Sequence, residues 1–246
     1  MLQMRRMLTL GFGIAIVLQS LHAQQSSDPR IADFVKAGRV RVGFGMNPTL
    51  AIKDPSTGQL RGPALEIARA LAKRMGVELA PVEYPSPGAV LQGIDSKAWD
   101  LTFLVIDPGR TATVDFSSPY MQSDFTYLVS NNSSMRGATE VDRPGIRIAV
   151  VRNDASDLRL TRSLKEAELV RADDINAAVE FVRARQADAV AAPRPVLLAQ
   201  AAKVGGTRVL DDGFAAISYA AVVPRGNADG LLMSMSSSKR PRPLDW

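Results

Sequence analysis

Short apolar runs alternate with longer amphipathic segments along most of this chain. In the first half, the apolar runs predict strands at 40–43, 77–82, 101–106 and 125–129. The segment 63–75 has apolar positions at helical spacing, begins with Pro63 and is followed by Gly76, which predicts a helix with both ends marked. A second, short helix is predicted over 87–95. This alternation of strands and helices is typical of an α/β fold.

The second half of the chain repeats the pattern. Strands are predicted at 146–151, 169–172, 189–192 and 207–210, and helices at 156–164, 174–185 and 195–204. A last strand at 217–223 would return the chain to the first half. Two crossings between two halves form a hinge, so we expect two lobes that close around a ligand. The 246 residues suffice for two lobes with separate cores.

The N-terminal segment predicts the compartment. The first 23 residues contain Arg5 and Arg6, an apolar run over 7–18 and the small residue Ala23. This order is typical of a secretory signal peptide that is cleaved after Ala23. The run is too short to span a bilayer comfortably, so an uncleaved anchor is the less favoured alternative. Because the chain has no cysteine for a disulfide or a lipid anchor, we expect a soluble periplasmic protein.

Charge and residue usage exclude several function classes. Outside the first 23 and the last 16 residues, 25 basic and 24 acidic side chains remain, so the overall charge of +5 gives no support for a nucleic-acid partner. The single histidine, His22, lies in the predicted signal peptide. A mature chain without His or Cys cannot run a Ser-His-Asp or Cys-His mechanism and lacks the usual zinc and copper ligands. We therefore expect no metal and no cofactor.

One arginine is placed where α/β proteins bind ligands. The predicted strand 101–106 runs into a polar turn that delivers Arg110, and strand ends in such sheets border a crevice. A guanidinium offers a planar, bidentate fork for a carboxylate. The alternative is a surface arginine paired with Asp107 or Asp115.

Several short blocks follow one another in a characteristic order: VRVG at 40–43, GQLRG at 58–62, Trp99-Asp100, Arg110, DFSSPY at 115–120, PGIRIAV at 144–150 and ADAV at 187–190. On these blocks, from about residue 30 to about residue 230, the chain resembles the extracytoplasmic solute-binding proteins of bacterial ABC transporters, of the polar amino acid-binding type (family 3). The resemblance implies a two-lobe, type II periplasmic binding protein-like α/β fold with two hinge-crossing segments. Lobe 1 would span 30–125, lobe 2 with the hinge strands 126–222, and the chain would return to lobe 1 over 223–246.

The implied function is that of a monomeric receptor. It would capture a small carboxylate-bearing solute, an amino acid or a related organic acid, and deliver it to an ABC permease. The resemblance places the ligand carboxylate on Arg110, puts Asn47 at the cleft, and brings the helix start at Asp154, Ala155 and Ser156 towards the ligand. Asp154 stands where the family usually has serine or threonine, and its chemistry favours capping that helix. In the cleft it would repel a carboxylate unless the ligand brings an amine.

A second departure concerns the amine of the ligand. Amino acid binders of the family hold it with an acidic residue five positions after the aspartate that matches Asp188, and here that position is Pro193. We therefore expect a carboxylate with fewer positive groups, or one with an apolar portion against Phe103 and Leu104. Arg194 is either a second anion contact or a solvated loop arginine.

Two alternatives remain. One is a periplasmic enzyme on the same fold, resembling the cyclohexadienyl dehydratases, with Asp154 as the candidate acid–base group. The other is a non-functional product. From about Leu231 the chain becomes polar and rich in proline where the family has a long amphipathic helix. One choice of codons for 233–246 encodes such a helix in another reading frame. The corresponding hypothesis is a frameshift near Leu231 that replaced the final helix.

Overall fold

The computed structural model describes residues 37–226. The predicted signal peptide over 1–23 and the aberrant tail from about residue 231 lie outside this range. The strands are β1 (Arg39–Gly45), β2 (Ile52–Lys53), β3 (Leu60–Arg61), β4 (Glu78–Tyr84), β5 (Leu101–Val105), β6 (Val114–Phe116), β7 (Met121–Ser130), β8 (Arg147–Val151), β9 (Glu168–Ala172), β10 (Ala189–Pro193), β11 (Thr207–Val209) and β12 (Ala215–Pro224). The helices are α1 (Pro63–Met75), α2 (Pro87–Val90), α3 (Ala155–Ser163), α4 (Ile175–Arg183) and α5 (Arg194–Val204).

A ten-stranded sheet runs through both lobes in the order β4-β1-β5-β12-β7-β10-β8-β9, with β6 paired to β12 and β11 to β7. The outer pairs of each lobe, β1 with β4 and β5, and β8 with β9 and β10, are parallel. The central strands β12 and β7 run antiparallel to their neighbours. Each lobe is thus a mostly parallel α/β unit, as the alternating pattern of the sequence predicts.

The two ten-residue strands β7 and β12 connect the lobes. The first half of β12 pairs with β7, and from Tyr219 onwards β12 pairs with β5 of lobe 1. The second half of β7, from Phe125, pairs with β10 of lobe 2. The main chain therefore crosses between the lobes twice, and the prediction of two hinge-crossing segments is confirmed.

Each lobe has its own hydrophobic core on the two faces of its part of the sheet. In lobe 1, Phe44 and Leu65 pack on one face, and Trp99 packs on the other. In lobe 2, helices α4 and α5 cover one face around Leu197, and α3 contributes Leu160 to the other. Two small cores joined by a two-strand hinge give a molecule whose lobes can move as units.

The same side-chain clamp occurs once in each lobe. Arg41 on β1 donates its backbone N–H (2.8 Å) and its Nε (3.1 Å) to Asp100 just before β5. Arg147 on β8 donates its backbone N–H (2.8 Å) and its Nε (3.2 Å) to Asp188 just before β10. Each clamp ties the first strand of its lobe to the strand that follows a helix, and so fixes the parallel register.

A strained residue accompanies each clamp. Lys97 has φ of 50° and Arg185 has φ of 58°, and the clamp arginines donate to the carbonyl oxygens of these two residues at 2.6 and 2.9 Å. The left-handed region is unfavourable for residues that carry a Cβ atom. Both side chains are exposed. The positive φ therefore orients the carbonyl group towards the clamp arginine and does not position the side chain.

Replacing Lys97 by glycine is therefore expected to stabilise the protein. Lys97→Gly removes the Cβ strain and keeps the carbonyl group, which should raise the free energy of unfolding by about 0.5–1 kcal/mol after the greater entropy of the unfolded glycine is subtracted. Urea denaturation measures the change. Lys97→Ala keeps the Cβ atom and should give no gain, and an equal gain in both variants would contradict this explanation.

Candidate functional site

The interlobe cleft is lined by residues of both lobes and of the hinge strands. Its lining consists of Met46, Asn47, Leu50, Pro85, Ser86, Pro87, Val105, Arg110, Phe125, Val151, Asp154, Ala155, Ser156, Ile175, Ala192, Pro193, Val196 and Tyr219. Five of the predicted site residues are thus brought together here: Asn47, Arg110, Asp154, Ala155 and Ser156. Most of the remaining wall is apolar.

Arg110 is held rigidly at the lobe 1 side of the cleft. It ends a short 3-10 turn whose start is capped by Asp107, which accepts a hydrogen bond from the N–H of Gly109 at 2.7 Å. The Arg110 side chain, 3% exposed, donates to the carbonyl of Val105 (3.3 Å) and, across the cleft, to that of Asn153 (2.9 Å). Its buried Nε has no partner among residues 37–226.

The electrostatics of Arg110 suit an anionic ligand. Burial lowers its pKa, which the negative charges of Asp154 and Asp107 partly counteract, and a guanidinium stays protonated under such shifts. The surface-arginine alternative is wrong, because the described chain has no ion pair between Arg110 and Asp107 or Asp115. Asp107 pairs instead with Arg162 of lobe 2 at 2.6 Å. A buried cation without a carboxylate partner can accept one from a ligand.

The start of α3 forms the lobe 2 side of the cleft. Asn153 adopts φ of 60°, a region that asparagine tolerates better than most residues, and this directs its carbonyl to Arg110. Asp154 occupies the N-cap position, but its side chain makes no capping hydrogen bond. It accepts instead from the N–H of Gly88 in lobe 1 at 2.5 Å. The prediction of a capping side chain is therefore wrong, because the carboxylate is drawn across the cleft.

Burial at the narrow cleft shifts the pKa of Asp154. Desolvation raises the pKa of Asp154 to about 7, although Arg110 and the hydrogen bond from Gly88 lower it, and Asp157 adds a smaller upward effect. Asp154 is half-buried as a residue and lines the cleft. Asp157 itself is engaged elsewhere, with Arg171 at 3.0 Å and with the N–H of Asn153 at 2.9 Å. Asp154 is thus a carboxylate that lacks a cationic partner in direct contact within the described chain.

The other predicted site residues have structural roles. Asn47 lines the cleft, yet its Oδ1 accepts from the N–H groups of Thr49 (2.9 Å) and Leu50 (3.0 Å) and so closes a turn after β1. Phe103 and Leu104 do not line the cleft. They project from opposite faces of β5 into the two cores of lobe 1, because successive residues of a strand alternate in direction. An apolar ligand portion against these two side chains is therefore ruled out by their burial, and this expectation is corrected.

The residues at and after the expected amine-anchor position, Pro193 and Arg194, differ in their relation to the cleft. Pro193 lines the cleft, and the following Arg194 turns away from it. The Arg194 guanidinium pairs with Asp124 of the hinge strand β7 at 2.6 Å and donates to the carbonyl of Leu210 at 2.9 Å. Arg194 is thus neither a cleft anion contact nor a solvated loop residue.

Several cleft residues were not predicted. Val105, Phe125 and Tyr219 line the cleft from β5 and the hinge strands. Burial raises the pKa of the Tyr219 hydroxyl, an effect that nearby Thr49 partly offsets, yet no group in the described chain meets it with hydrogen-bond geometry. Val105, Phe125 and Tyr219 are ordinary strand residues, so no local signal in the sequence distinguishes them from core positions.

Three polar contacts between described residues join the lobes across the cleft. Gly88 bonds to Asp154, Arg110 bonds to Asn153, and Asp107 pairs with Arg162. Within this closed arrangement the centres of water-sized molecules can occupy only about 30 Å³ of the cleft, which suffices for one or two waters. A larger solute therefore enters by opening of the hinge.

Gly88 is predicted to control closure. A Cβ atom at this position would lie 2.7 Å from the carbonyl oxygen of Arg152 and 2.7 Å from the carbonyl carbon of Asn153, both main-chain atoms of the opposite lobe. Gly88→Ala should therefore shift the molecule towards open forms while leaving each lobe folded. Because the chain has no cysteine, spin labels on cysteines introduced at exposed Lys73 and Glu166 report the interlobe distance without background.

The distances between the two labels, measured by pulsed electron–electron double resonance, should be longer in Gly88→Ala than in the parent protein labelled at the same positions. The free energy of unfolding in urea serves as the control and should change by no more than about 0.5 kcal/mol, since lobe opening separates the buried Gly88 position from lobe 2 and a helical turn accepts alanine. An unchanged distance distribution would show that this contact does not limit closure.

The raised pKa of Asp154 predicts a pH dependence of stability. Between about pH 4 and pH 7, the folded chain holds a proton on Asp154 that the unfolded chain has lost, so this group's contribution to stability falls as the pH rises through that window. The groups that act on it are Arg110, Asp157 and Tyr219. The free energy of unfolding of Asp154→Asn minus that of the parent should therefore be larger at pH 8 than at pH 5, by on the order of 1–2 kcal/mol.

Urea denaturation at the two pH values measures this difference. Asp173→Asn is the matched control, because the Asp173 side chain is 93% exposed. Equal pH profiles for the parent and Asp154→Asn would contradict the prediction.

Two further observations concern metal ligands and membrane-spanning helices. Within the described range, no group of three or more His, Cys, Asp or Glu side chains could hold a metal ion. None of the helices in that range is both long and apolar enough to cross a membrane.

Comparison with known proteins agrees with this geometry. The model of the bacterial extracellular solute-binding proteins, family 3, matches residues 40–229. The chain is 24% identical over 190 residues to a glutamine-binding protein of Geobacillus stearothermophilus (75% of this chain, 72% of the relative). It is 25% identical over 231 residues to the L-cystine-binding protein TcyJ of Escherichia coli K12 (91% and 85%).

Solved structures share the fold. Holo ArgBP from T. maritima superposes with a TM-score of 0.75 at 24% identity, over 85% of this chain and 95% of that one. The ancestral amino acid-binding protein AncCDT-1, described as a precursor of cyclohexadienyl dehydratase, gives 0.71 at 24% identity over 84% and 93%. These matches confirm the type II periplasmic binding protein fold. Because the family model matches most of this chain, the chain belongs to the bacterial extracellular solute-binding proteins of family 3.

Proposed function

We propose that this protein captures a small carboxylate-bearing solute, an amino acid or a related organic acid, between its lobes and delivers it to an ABC permease. The observation that carries the proposal is Arg110, a buried guanidinium in the cleft that makes no ion pair within the described chain and has an unpartnered Nε. A desolvated cation of this kind gains most from a ligand carboxylate, because the charge-assisted hydrogen bonds replace water that burial has removed.

The recognition step couples to closure. Arg110 belongs to lobe 1, whereas Ala155 and Ser156 begin a helix of lobe 2 whose first N–H groups and partial positive charge favour an anion. A carboxylate placed between them contacts both lobes and therefore stabilises the closed form over the open one. The interlobe contacts of Asp107 with Arg162, and of Gly88 with Asp154, add to the same closed form.

The relatives support the solute class. The names of the matched relatives refer to glutamine and L-cystine, and structures of similar fold contain arginine. These compounds share an α-carboxylate and an α-amino group and differ in their side chains. We infer that this chain uses Arg110 for the shared carboxylate, that it acts as a monomer in the periplasm after cleavage of the 1–23 segment, and that its closed form is the one that docks on the permease.

A second candidate function rests on Asp154. A cleft carboxyl group with a pKa of about 7 can donate or accept a proton near neutral pH, which is the property required of a general acid–base group in a dehydratase-like enzyme. The two functions separate in one assay. A receptor binds a cyclohexadienyl acid without changing it or does not bind it at all, whereas a dehydratase releases an aromatic product that ultraviolet absorbance detects.

The role of Arg110 can be tested with conservative variants. A panel of amino acids, dicarboxylates and aromatic acids is screened by thermal unfolding, and the compound that raises the melting temperature most is titrated by calorimetry. Arg110→Lys keeps the charge but loses the bidentate fork, so affinity should fall by roughly 30–100-fold. Arg110→Ala should abolish binding.

Arg183→Lys is the control for a general effect of the substitution, since Arg183 is an exposed helix residue that pairs with Glu180. Its affinity should equal that of the parent. Unchanged affinity in Arg110→Lys would contradict the proposal. A parent protein without a cooperative unfolding transition would instead support the damaged-gene alternative.

A further inference from the structure

The cleft contains two opposite charges that do not neutralise each other. Arg110 comes from lobe 1 and Asp154 from lobe 2, and they are the charged residues among those that line the cleft in the described chain. Each influences the other electrostatically, yet no nitrogen–oxygen pair between them lies within 4.0 Å. Each is bonded to the main chain of the opposite lobe, Arg110 to Asn153 and Asp154 to Gly88.

The neighbouring charges are engaged elsewhere. Asp107, which also acts on Arg110, is paired with Arg162 at 2.6 Å. Asp157, which also acts on Asp154, is paired with Arg171 at 3.0 Å. The cleft therefore presents one guanidinium and one carboxylate that both lack a direct counter-ion among residues 37–226.

Among the described residues that line the cleft, Asp154 is the only one with a carboxyl group. Pro193 has no polar side-chain atom, and the adjacent Arg194 is held by Asp124 outside the cleft. The larger side chains of the wall, such as Leu50 and Val196, are apolar. A positively charged group on the solute can therefore find a carboxylate in the described cleft only at Asp154.

We propose that Asp154 determines specificity by binding the ammonium group of a zwitterionic α-amino acid whose carboxylate is held by Arg110, and that the solute's side chain is uncharged. This inference rests on the proposed function and narrows its solute class. The expectation of a ligand with fewer positive groups follows from Pro193 alone. The structure changes it, because the side chain of Asp154 lies in the cleft rather than capping α3.

The chemistry of both charges supports this assignment. A desolvated carboxylate that receives an ammonium group gains a charge-assisted hydrogen bond, and the amide of Gly88 holds its other contact in place. An α-amino acid carries its ammonium and carboxylate groups on one carbon atom, so one small molecule can satisfy two adjacent opposite charges. A dicarboxylate would instead bring a second negative charge towards Asp154. The apolar remainder of the wall suits a side chain that carries no charge.

Four matched pairs of compounds test the inference by calorimetry. They are L-alanine with propanoate, L-valine with 3-methylbutanoate, L-leucine with 4-methylpentanoate, and L-phenylalanine with 3-phenylpropanoate. In the parent, at least one amino acid should bind 100-fold or more tightly than its partner without the amine. In Asp154→Asn the amino acid should lose at least 30-fold in affinity, while the partner compound keeps or gains affinity. Asp173→Asn should behave as the parent.

Proton release gives a second readout that a purely structural role would not change. An ammonium group bound to Asp154 favours its ionised form, so at pH 6.5 binding should release roughly half a proton or more, because the pKa of the free group is about 7. Titrations in buffers of different ionisation enthalpy measure this number. It should be near zero in Asp154→Asn.

The outcomes separate this inference from the proposed function. If paired compounds bind equally well, or if Asp154→Asn leaves both the preference and the proton release unchanged, the amine role is overturned while the receptor function stands. If the only compounds of the panel that bind are carboxylates without an α-amino group, or amino acids with a charged side chain, the inferred solute class is overturned alone. If no carboxylate binds at all, the proposed function fails as well.

Discussion

The closed form of this protein depends on a buried charge placed at the boundary between two lobes. Arg110 is rigid because the 3-10 turn that carries it is capped by Asp107, and its guanidinium reaches the main chain of lobe 2 at Asn153. Asp154 makes the reciprocal contact to Gly88 in lobe 1. Neither contact satisfies the charge completely, so the closed cleft is electrostatically incomplete without a ligand. That incompleteness is what allows a solute to favour closure.

The scaffold separates this adaptable region from two stable ones. The clamps of Arg41 with Asp100 and of Arg147 with Asp188, none of which lines the cleft, fix the parallel strands within each lobe. Within residues 37–226, β7 and β12 are the strands that carry the chain between the lobes, and they belong to one continuous sheet. A bend in two paired strands moves whole lobes, because each lobe keeps its own core. Binding energy spent at the cleft is thereby converted into a change of shape that a permease can recognise.

The departures from the family pattern form one coherent set. Position 193, where the resemblance implies an acidic side chain, carries proline, whereas Asp154 brings a carboxyl group to the lining of the same cleft. Arg194, which follows the proline, is neutralised by Asp124 and so does not add a second cation to the cleft. The lining of the described cleft therefore holds one positive residue, Arg110, and one negative residue, Asp154.

The sequence by itself determined the α/β class, the two lobes and the positions of the helices and of all strands except the short β2, β3 and β6, and it singled out Arg110 as a candidate ligand contact. These features follow from local periodicity, from turn residues such as Pro63, and from the order of short blocks, all of which are properties of neighbouring residues. Only the tertiary structure decided what faces the cleft. Phe103 and Leu104 looked suitable for a ligand but point into cores, whereas Asp154 looked like a helix cap but bonds across to lobe 1. The direction of a side chain depends on the strand pleat and on partners far away in the sequence, and no local pattern encodes those partners.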